Sequence, residues 1–132
     1  MKQYKEVLLL NSSELELAKC KHQMDMFGIA GHIHTETSGI SAMYYLRNVV
    51  QLPELVIANL GSGEASIIDF VLELEKFLSR EKKQSNIVLL YDSIEKEFKK
   101  LPMSTCGYRL LKNPLCIPEL VDEIDWVEEL LN

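Results

Sequence analysis

The sequence predicts a parallel α/β sheet whose strands are covered by helices on both faces. The first observation is a set of short apolar runs bounded by turn residues, at Val7–Leu10, Leu55–Ala58, Ile87–Leu90 and, more weakly, Tyr108–Leu111. Their continuous rather than alternating apolarity indicates strands that are buried on both sides. The second observation is that helical patterns separate the runs, as in sheets built by right-handed crossovers. Five β-α repeats account for the whole chain, so residues 1–132 are predicted to form one domain.

A further strand is predicted at Gly31–Thr35, where a single apolar residue lies between polar neighbours. This composition is typical of an edge strand. His32 and His34 would share one face of it. Because no acid or third ligand was evident nearby, a solvated edge is favoured over a metal site.

The first helix is predicted to begin at a capping box, Ser13-Glu-Leu-Glu16. In this motif the serine accepts a hydrogen bond from the backbone N–H three residues on, and the glutamate reaches back to the cap. Apolar residues follow at helical spacing, and Gly28 is a suitable C-cap. The predicted buried stripe is Leu17, Cys20, Met24 and Phe27.

The other helices are predicted at residues 39–50, 65–83, 93–101 and from 118 to the C-terminus. Pro118 suits the first position of the last helix. In that helix Leu120, Ile124, Val127 and Leu131 form a stripe that faces the core. Trp126 falls off the stripe with Leu130 at its flank, and an exposed aromatic beside an aliphatic residue is typical of an interface.

Composition limits the possible functions. The chain has 132 residues, 47% of them hydrophobic, and a net charge of −6 with a pI near 5.1. This acidic balance, without a basic cluster, disfavours a nucleic-acid partner. The apolar run near the N-terminus, Val7–Leu10, is too short for a signal sequence or a membrane span, so we expect a cytoplasmic protein. The three cysteines form no C-x-x-C pair and are predicted to be buried thiols in a reducing compartment.

Polar residues stand where the predicted strands end. In parallel α/β sheets the working site lies at the carboxyl ends of the strands. The residues there are Asn11-Ser12-Ser13 after the first strand, Asn59 after the third, Tyr91-Asp92 after the fourth, and Lys112-Asn113-Pro114 after the fifth.

In these strand ends, and in Thr37-Ser-Gly-Ile-Ser-Ala42 before the second helix, the chain resembles the receiver domains of bacterial two-component response regulators. The resemblance implies a flavodoxin-like (βα)5 fold with strand order 2-1-3-4-5. In that family, an acid pair ends the first strand, a phosphoacceptor aspartate the third, a Ser or Thr the fourth, and a lysine before proline the fifth. Matched by position, these fall on Asn11 and Ser12, Asn59, Tyr91 and Lys112. Only the lysine is kept, and Asn113 separates it from the proline.

The altered positions predict a degenerate phosphorylation pocket. Mg²⁺ prefers carboxylate oxygens, and an amide is not a carboxylate nucleophile. We therefore expect no metal, no cofactor and no enzymatic activity. The short apolar run at the N-terminus leads us to expect no membrane partner either. The resemblance implies a protein-interaction module that binds a signalling protein or a second copy of itself, as a homodimer. The contact face would be the fourth helix, fifth strand and fifth helix, with Tyr108, Trp126 and Leu130 as partner-binding residues.

Alternatives stay open at this point. A flavodoxin-like carrier or enzyme would need a glycine-containing, hydroxyl-rich loop after the first strand, and this chain has only Ser12 and Ser13 there. A phosphocarrier of this shape uses a cysteine soon after the first strand, whereas Cys20 lies well into the predicted helix. The last alternative is a receiver phosphorylated at a non-standard residue such as Ser12 or Ser62.

Overall fold

The computed structural model describes residues 4–61, 65–83, 85–92 and 108–121. In these ranges, strands form one parallel sheet in the order β2-β1-β3-β4-β5, which confirms the predicted fold class. The strands are β1 (Tyr4–Leu10), β2 (Ala30–Glu36), β3 (Leu55–Asn59), β4 (Asn86–Tyr91) and β5 (Tyr108–Lys112). Because all pairs are parallel, the carboxyl ends of the strands meet at one edge of the sheet.

The described helices are α1 (Glu14–Met26), α2 (Gly39–Asn48) and α3 (Ala65–Glu81), followed by a final helical segment at residues 117–121. α2 stops before the predicted end at Val50 because Val49 is already extended, with φ −78° and ψ 142°. The predicted fourth helix, and the last helix beyond residue 121, lie outside the described residues. None of the helices in the described ranges is long and apolar enough to cross a membrane.

The core has two layers because successive side chains of a strand point to opposite faces of the sheet. On one face, Leu8, Val56 and Leu89 pack against α2 and α3. On the other face, the alternate strand residues pack against α1 and the final helical segment. The strand residues there include Leu9, Ile57, Val88 and Leu90. They share one apolar cluster with Leu17 and Met24 of α1 and with Leu120 of the final segment. The helices therefore cover both faces, as the continuous apolar runs predict.

The α1 stripe was predicted correctly at Leu17 and Met24, which are buried, but not at Phe27. Phe27 is the C-cap residue of α1 and is 48% exposed. The chain turns at Gly28, whose φ is +64°, so Phe27 lies past the last residue that faces the sheet.

The edge strand β2 carries its histidines as predicted, but each has an acidic partner that the sequence did not reveal. His32 Nδ1 lies 2.7 Å from Glu6 Oε2 on the neighbouring β1, and His34 Nε2 contacts the carboxylate of Glu36. The His34 ring stacks on Tyr45 of α2, with centroids 3.8 Å apart. Within the described ranges no group of three His, Cys, Asp or Glu side chains could hold a metal ion.

Candidate functional site

A pocket of about 50 Å³ opens at the carboxyl ends of the strands, between α1 and the turn that follows β5. Its floor is apolar and includes the buried residues Leu9, Leu17, Ile57 and Leu90. Its polar lining comes from Glu16 of α1 and from one amide at each of three strand ends: Asn11 after β1, Asn59 at the end of β3 and Asn113 after β5. The site is thus lined by side-chain amides at the positions where a catalytic α/β sheet places its working groups.

The side-chain oxygen of Asn11 is engaged by the protein itself. Asn11 Oδ1 accepts a hydrogen bond of 2.9 Å from the backbone N–H of Ser13. Ser13 in turn caps α1, because its hydroxyl accepts from the backbone N–H of Glu16 at 3.2 Å. In the described residues only this half of the predicted capping box forms: the Ser13 N–H donates to Asn11, and the Glu16 carboxylate lies 3.6 Å from Lys19 Nζ.

Asn59 is held in the same way and is also tied to β5. Asn59 Oδ1 accepts from the backbone N–H of Gly61 at 2.8 Å and from Asn113 Nδ2 at 2.9 Å. Asn113 Nδ2 donates a second hydrogen bond to Asp92 Oδ1 at 2.8 Å. One amide group thus connects the residues that follow β4 and β5 to the end of β3.

These contacts fix which way each amide faces. A backbone N–H can only donate, so the atoms that face Ser13 and Gly61 must be the oxygens of Asn11 and Asn59. A divalent cation needs free oxygen ligands, and both of these oxygens already accept hydrogen bonds from N–H groups. The pocket therefore presents amide groups where a Mg²⁺ site would present carboxylates.

The structure brings together only part of the predicted site. Asn11 and Asn59 line the pocket, whereas Ser12, Tyr91 and Lys112 do not. Tyr91 is one residue beyond Leu90, which does line it, and successive strand residues face opposite sides. Ser12 is half-buried in the loop between β1 and α1.

Lys112 and Asn113 differ in their position relative to the pocket. Lys112 is the exposed last residue of β5, and the next residue, Asn113, enters the pocket. Asn113 is joined to Pro114 by a cis peptide bond, and its backbone N–H donates to the Tyr91 carbonyl at 2.8 Å. Asn113 directly precedes Pro114, and Lys112 stands one residue earlier. Adjacency to the proline is therefore the sequence signal for the residue that enters the pocket.

Cys20 also lines the pocket, and burial is the main reason why its pKa is raised to about 12, with the Glu16 carboxylate adding to the effect. The thiol is therefore protonated at neutral pH and is neither a good nucleophile nor a ready metal ligand. Cys116 is exposed, so the prediction of buried thiols is wrong for that residue. Cys106 lies outside the described residues.

Of the predicted partner-binding residues, only Tyr108 is described. It is half-buried against the α2 and α3 core, and its hydroxyl donates to Glu75 of α3 at 3.3 Å. Burial and the Glu75 carboxylate raise the pKa of Tyr108 well above its usual value. Leu110, which shares a face of β5 with Tyr108, is 46% exposed and was not predicted as a contact residue. Trp126 and Leu130 lie outside the described residues.

No protein-family model matches this sequence, and a search of curated proteins finds no match. Solved structures do share its fold. A two-component response regulator from Cytophaga hutchinsonii superposes with a TM-score of 0.77 at 15% identity, covering 97% of this chain and 99% of that one. A signal receiver domain of an HD-domain-containing protein from Pseudomonas fluorescens gives a TM-score of 0.71 at 19% identity, covering 96% of both chains.

A third similar structure is a co-crystal of a histidine phosphotransfer signalling protein from Saccharomyces cerevisiae with the receiver domain of its downstream response regulator. It superposes with a TM-score of 0.74 at 17% identity, covering 94% of this chain and 88% of that one. The chain therefore has the fold of a response-regulator receiver domain.

Proposed function

We propose that this protein is a receiver-fold module of signal transduction that binds a protein partner without phosphoryl transfer to the end of β3. The observation that carries the proposal is Asn59. It is the last residue of β3, and its side-chain oxygen is held by the Gly61 N–H and by Asn113. A neutral amide in this arrangement is a poor nucleophile toward phosphorus, so the module is not an enzyme in our proposal.

The rest of the pocket supports the same conclusion. Metal-assisted phosphoryl transfer needs a cation that neutralises charge on the phosphoryl group. The amide of Asn11 stands after the end of β1, and the amide of Asn113 rather than the ammonium group of Lys112 lines the pocket. The protonated thiol of Cys20 gives no support to a phosphocarrier, since a thiol of such high pKa supplies little thiolate.

β5 supplies the partner face in this proposal. Leu110 presents an apolar side chain to solvent beside Tyr108, and exposed apolar side chains next to aromatic residues are typical of interface centres. In the yeast structure of similar fold, a receiver domain forms a complex with a histidine phosphotransfer protein. We propose a partner of that kind, a signalling protein, for this chain. A second copy of the chain is the other candidate partner for the same face.

Intact-mass measurement tests the proposal. The purified protein is incubated with Mg²⁺ and acetyl phosphate beside a receiver that carries the usual aspartate. We expect a phosphoryl adduct on that control and none on this protein. An adduct that is lost in Asn59→Ala would contradict the proposal directly. An adduct that is lost instead in Ser12→Ala or Ser62→Ala would replace it with phosphorylation at a non-standard residue.

A further inference from the structure

We propose that the pocket at the strand ends is a binding site for a neutral carboxamide group. The site does not depend on the partner face of β5, and it goes beyond the proposed function. The proposal follows from the hydrogen-bonding groups that Asn11, Asn59 and Asn113 leave unused, and from the apolar floor between them.

Two of the three amides, those of Asn11 and Asn59, have N–H donors that no other described residue uses. The oxygens of Asn11 and Asn59 are bound to the backbone N–H groups of Ser13 and Gly61, at 2.9 and 2.8 Å. Their Nδ2 groups have no hydrogen-bond acceptor in the part of the chain that the structure describes. Both residues line the pocket, and these two amide groups are the donors that the ends of β1 and β3 would contribute to a ligand there.

The third amide, that of Asn113, has a carbonyl acceptor that no other described residue uses. Asn113 uses Nδ2 twice, toward Asn59 Oδ1 at 2.9 Å and toward Asp92 Oδ1 at 2.8 Å. Its Oδ1 receives no hydrogen bond from any residue in the described ranges. Three side chains from three strand ends therefore combine N–H donors on two with a carbonyl acceptor on the third.

A carboxamide is the small group that complements this set, because it carries one carbonyl acceptor and N–H donors. A carboxylate matches the donors of Asn11 and Asn59 but is repelled by the oxygen of Asn113 and by Glu16, which lines the same pocket. A metal cation is attracted by Glu16 but faces the N–H groups of two amides. Neither an anion nor a cation would therefore form favourable contacts with all three strand-end side chains.

The size and floor of the pocket suit a short ligand. A volume of about 50 Å³ exceeds the space that a single water needs, and it admits a group of only a few non-hydrogen atoms. Below the amides lie Leu9, Leu17 and Ile57, all buried, which would contact the methyl or methylene carbon of the ligand. Acetamide has this shape, as does the end of a glutamine side chain.

A titration by nuclear magnetic resonance tests the inference, with ¹⁵N-labelled protein and acetamide as the probe. We expect saturable shifts of the side-chain NH₂ signals of Asn11 and Asn59, with a dissociation constant of roughly millimolar order, as a ligand of so few atoms allows. Acetate and Mg²⁺ at the same concentrations should leave these signals in place. Equal shifts with acetate, saturation by Mg²⁺, or no saturable shift with acetamide would each overturn the proposal.

Two variants make the test specific. Asn11→Asp keeps an oxygen for the Ser13 N–H and replaces the Nδ2 donor with a charged oxygen, so acetamide affinity should fall at least about tenfold, the effect of one or two hydrogen bonds. Circular dichroism of this variant checks that the fold is retained beside the added charge. Asn48→Ala removes an exposed amide of α2 that donates to the Tyr44 carbonyl, and it should bind acetamide like the wild type. Unchanged affinity in Asn11→Asp, or an equal loss in Asn48→Ala, would overturn the site.

A blocked Gly-Gln-Gly peptide separates the two sources of such a group. Tighter binding of the peptide than of acetamide would assign the site to a glutamine side chain of a partner, and the reverse order would assign it to a free small amide. The result is independent of the phosphorylation test, since acetamide binding requires neither the presence nor the absence of phosphoryl transfer.

Discussion

Asn113 Nδ2 donates a hydrogen bond of 2.9 Å to Asn59 Oδ1, which joins the end of β3 to the residue after β5. The same nitrogen donates to Asp92 beyond β4. Here an uncharged amide makes the connection, and its two acceptors are an amide oxygen and one carboxylate.

We expect Asn113→Ala to destabilise the protein by about 1–2 kcal/mol, because a partly buried hydrogen bond to Asn59 and an exposed one to Asp92 are lost and Asn59 keeps only its bond to Gly61. Urea unfolding measures the change. Asn48→Ala is the matched control, because it removes a single exposed hydrogen bond to the Tyr44 carbonyl and should change the free energy of unfolding by less than about 0.5 kcal/mol. Equal effects of the two changes would contradict a structural role for the Asn59–Asn113 contact.

A second expectation concerns Gly61, which packs directly beneath this cluster. A Cβ atom at Gly61 would lie 2.5 Å from Asn113 Nδ2 and 2.6 Å from Asp92 Oδ2. Both atoms are side-chain ends that can move aside, so Gly61→Ala should break their hydrogen bonds rather than strain the backbone, and it should destabilise the protein by about 1 kcal/mol. The effect should be less than additive with Asn113→Ala, because both changes disrupt the same contacts.

Gly28→Ala is the control for this change, because a Cβ there meets open space and only the positive φ of +64° opposes it. It should cost about 1 kcal/mol from backbone strain alone. Full additivity of Gly61→Ala with Asn113→Ala in denaturant unfolding would show that the two residues act separately.

Mg²⁺ should leave the melting temperature of the wild type unchanged, because we expect no Mg²⁺ to bind and a ligand stabilises a protein only in proportion to its occupancy. Replacing Asn11 and Asn59 together by aspartate should lower the melting temperature in chelator, because two new carboxylates crowd a pocket that already holds Glu16. Mg²⁺ should then restore part of the loss in a dose-dependent way. A double variant more stable than the wild type in chelator would mean that these residues do not share one site.

Cys20 should resist alkylation. Its thiol pKa, raised to about 12 chiefly by burial and further by Glu16, leaves almost no thiolate at pH 8. Reaction with iodoacetamide should accelerate about tenfold for each pH unit up to that pKa, as the thiolate fraction grows. The exposed Cys116 is the internal control in the same peptide map and should react first. Faster modification of Cys20 than of Cys116 at pH 8 would contradict the burial of the thiol.

The partner face of β5 is tested with two exposed leucines. Leu110→Asp should abolish self-association or capture of a signalling partner, because it places a charge in the centre of the proposed contact. Leu15→Asp makes the same change on α1, where Leu15 is 64% exposed, and should leave association intact. Sedimentation velocity on both variants decides the matter. If Leu15→Asp weakens association as much as Leu110→Asp does, the contact is not specific to β5.

The sequence by itself determined the fold, because the signals involved are local and repeated. The continuous apolar runs at Val7–Leu10 and Leu55–Ala58 indicate strands buried on two sides, and the helices between them leave a parallel sheet as the consistent arrangement. Ser13 and Gly28 mark the beginning and end of α1 for reasons that lie within a few residues of chain.

Only the tertiary structure decided the composition of the site. Whether Lys112 or Asn113 reaches the pocket depends on the register of β5 against β4, since a shift of one residue turns a side chain to the other face of the sheet. The acidic partner of His32 could not be predicted from the sequence for the same reason. Glu6 lies opposite His32 only after β1 and β2 have paired. The orientation of the Asn59 amide depends both on the Gly61 N–H two residues away and on Asn113, 54 residues away. A sequence pattern predicts that a segment is a strand and which of its side chains are buried. It does not predict contacts between strand ends, because these depend on how the strands are aligned in the sheet.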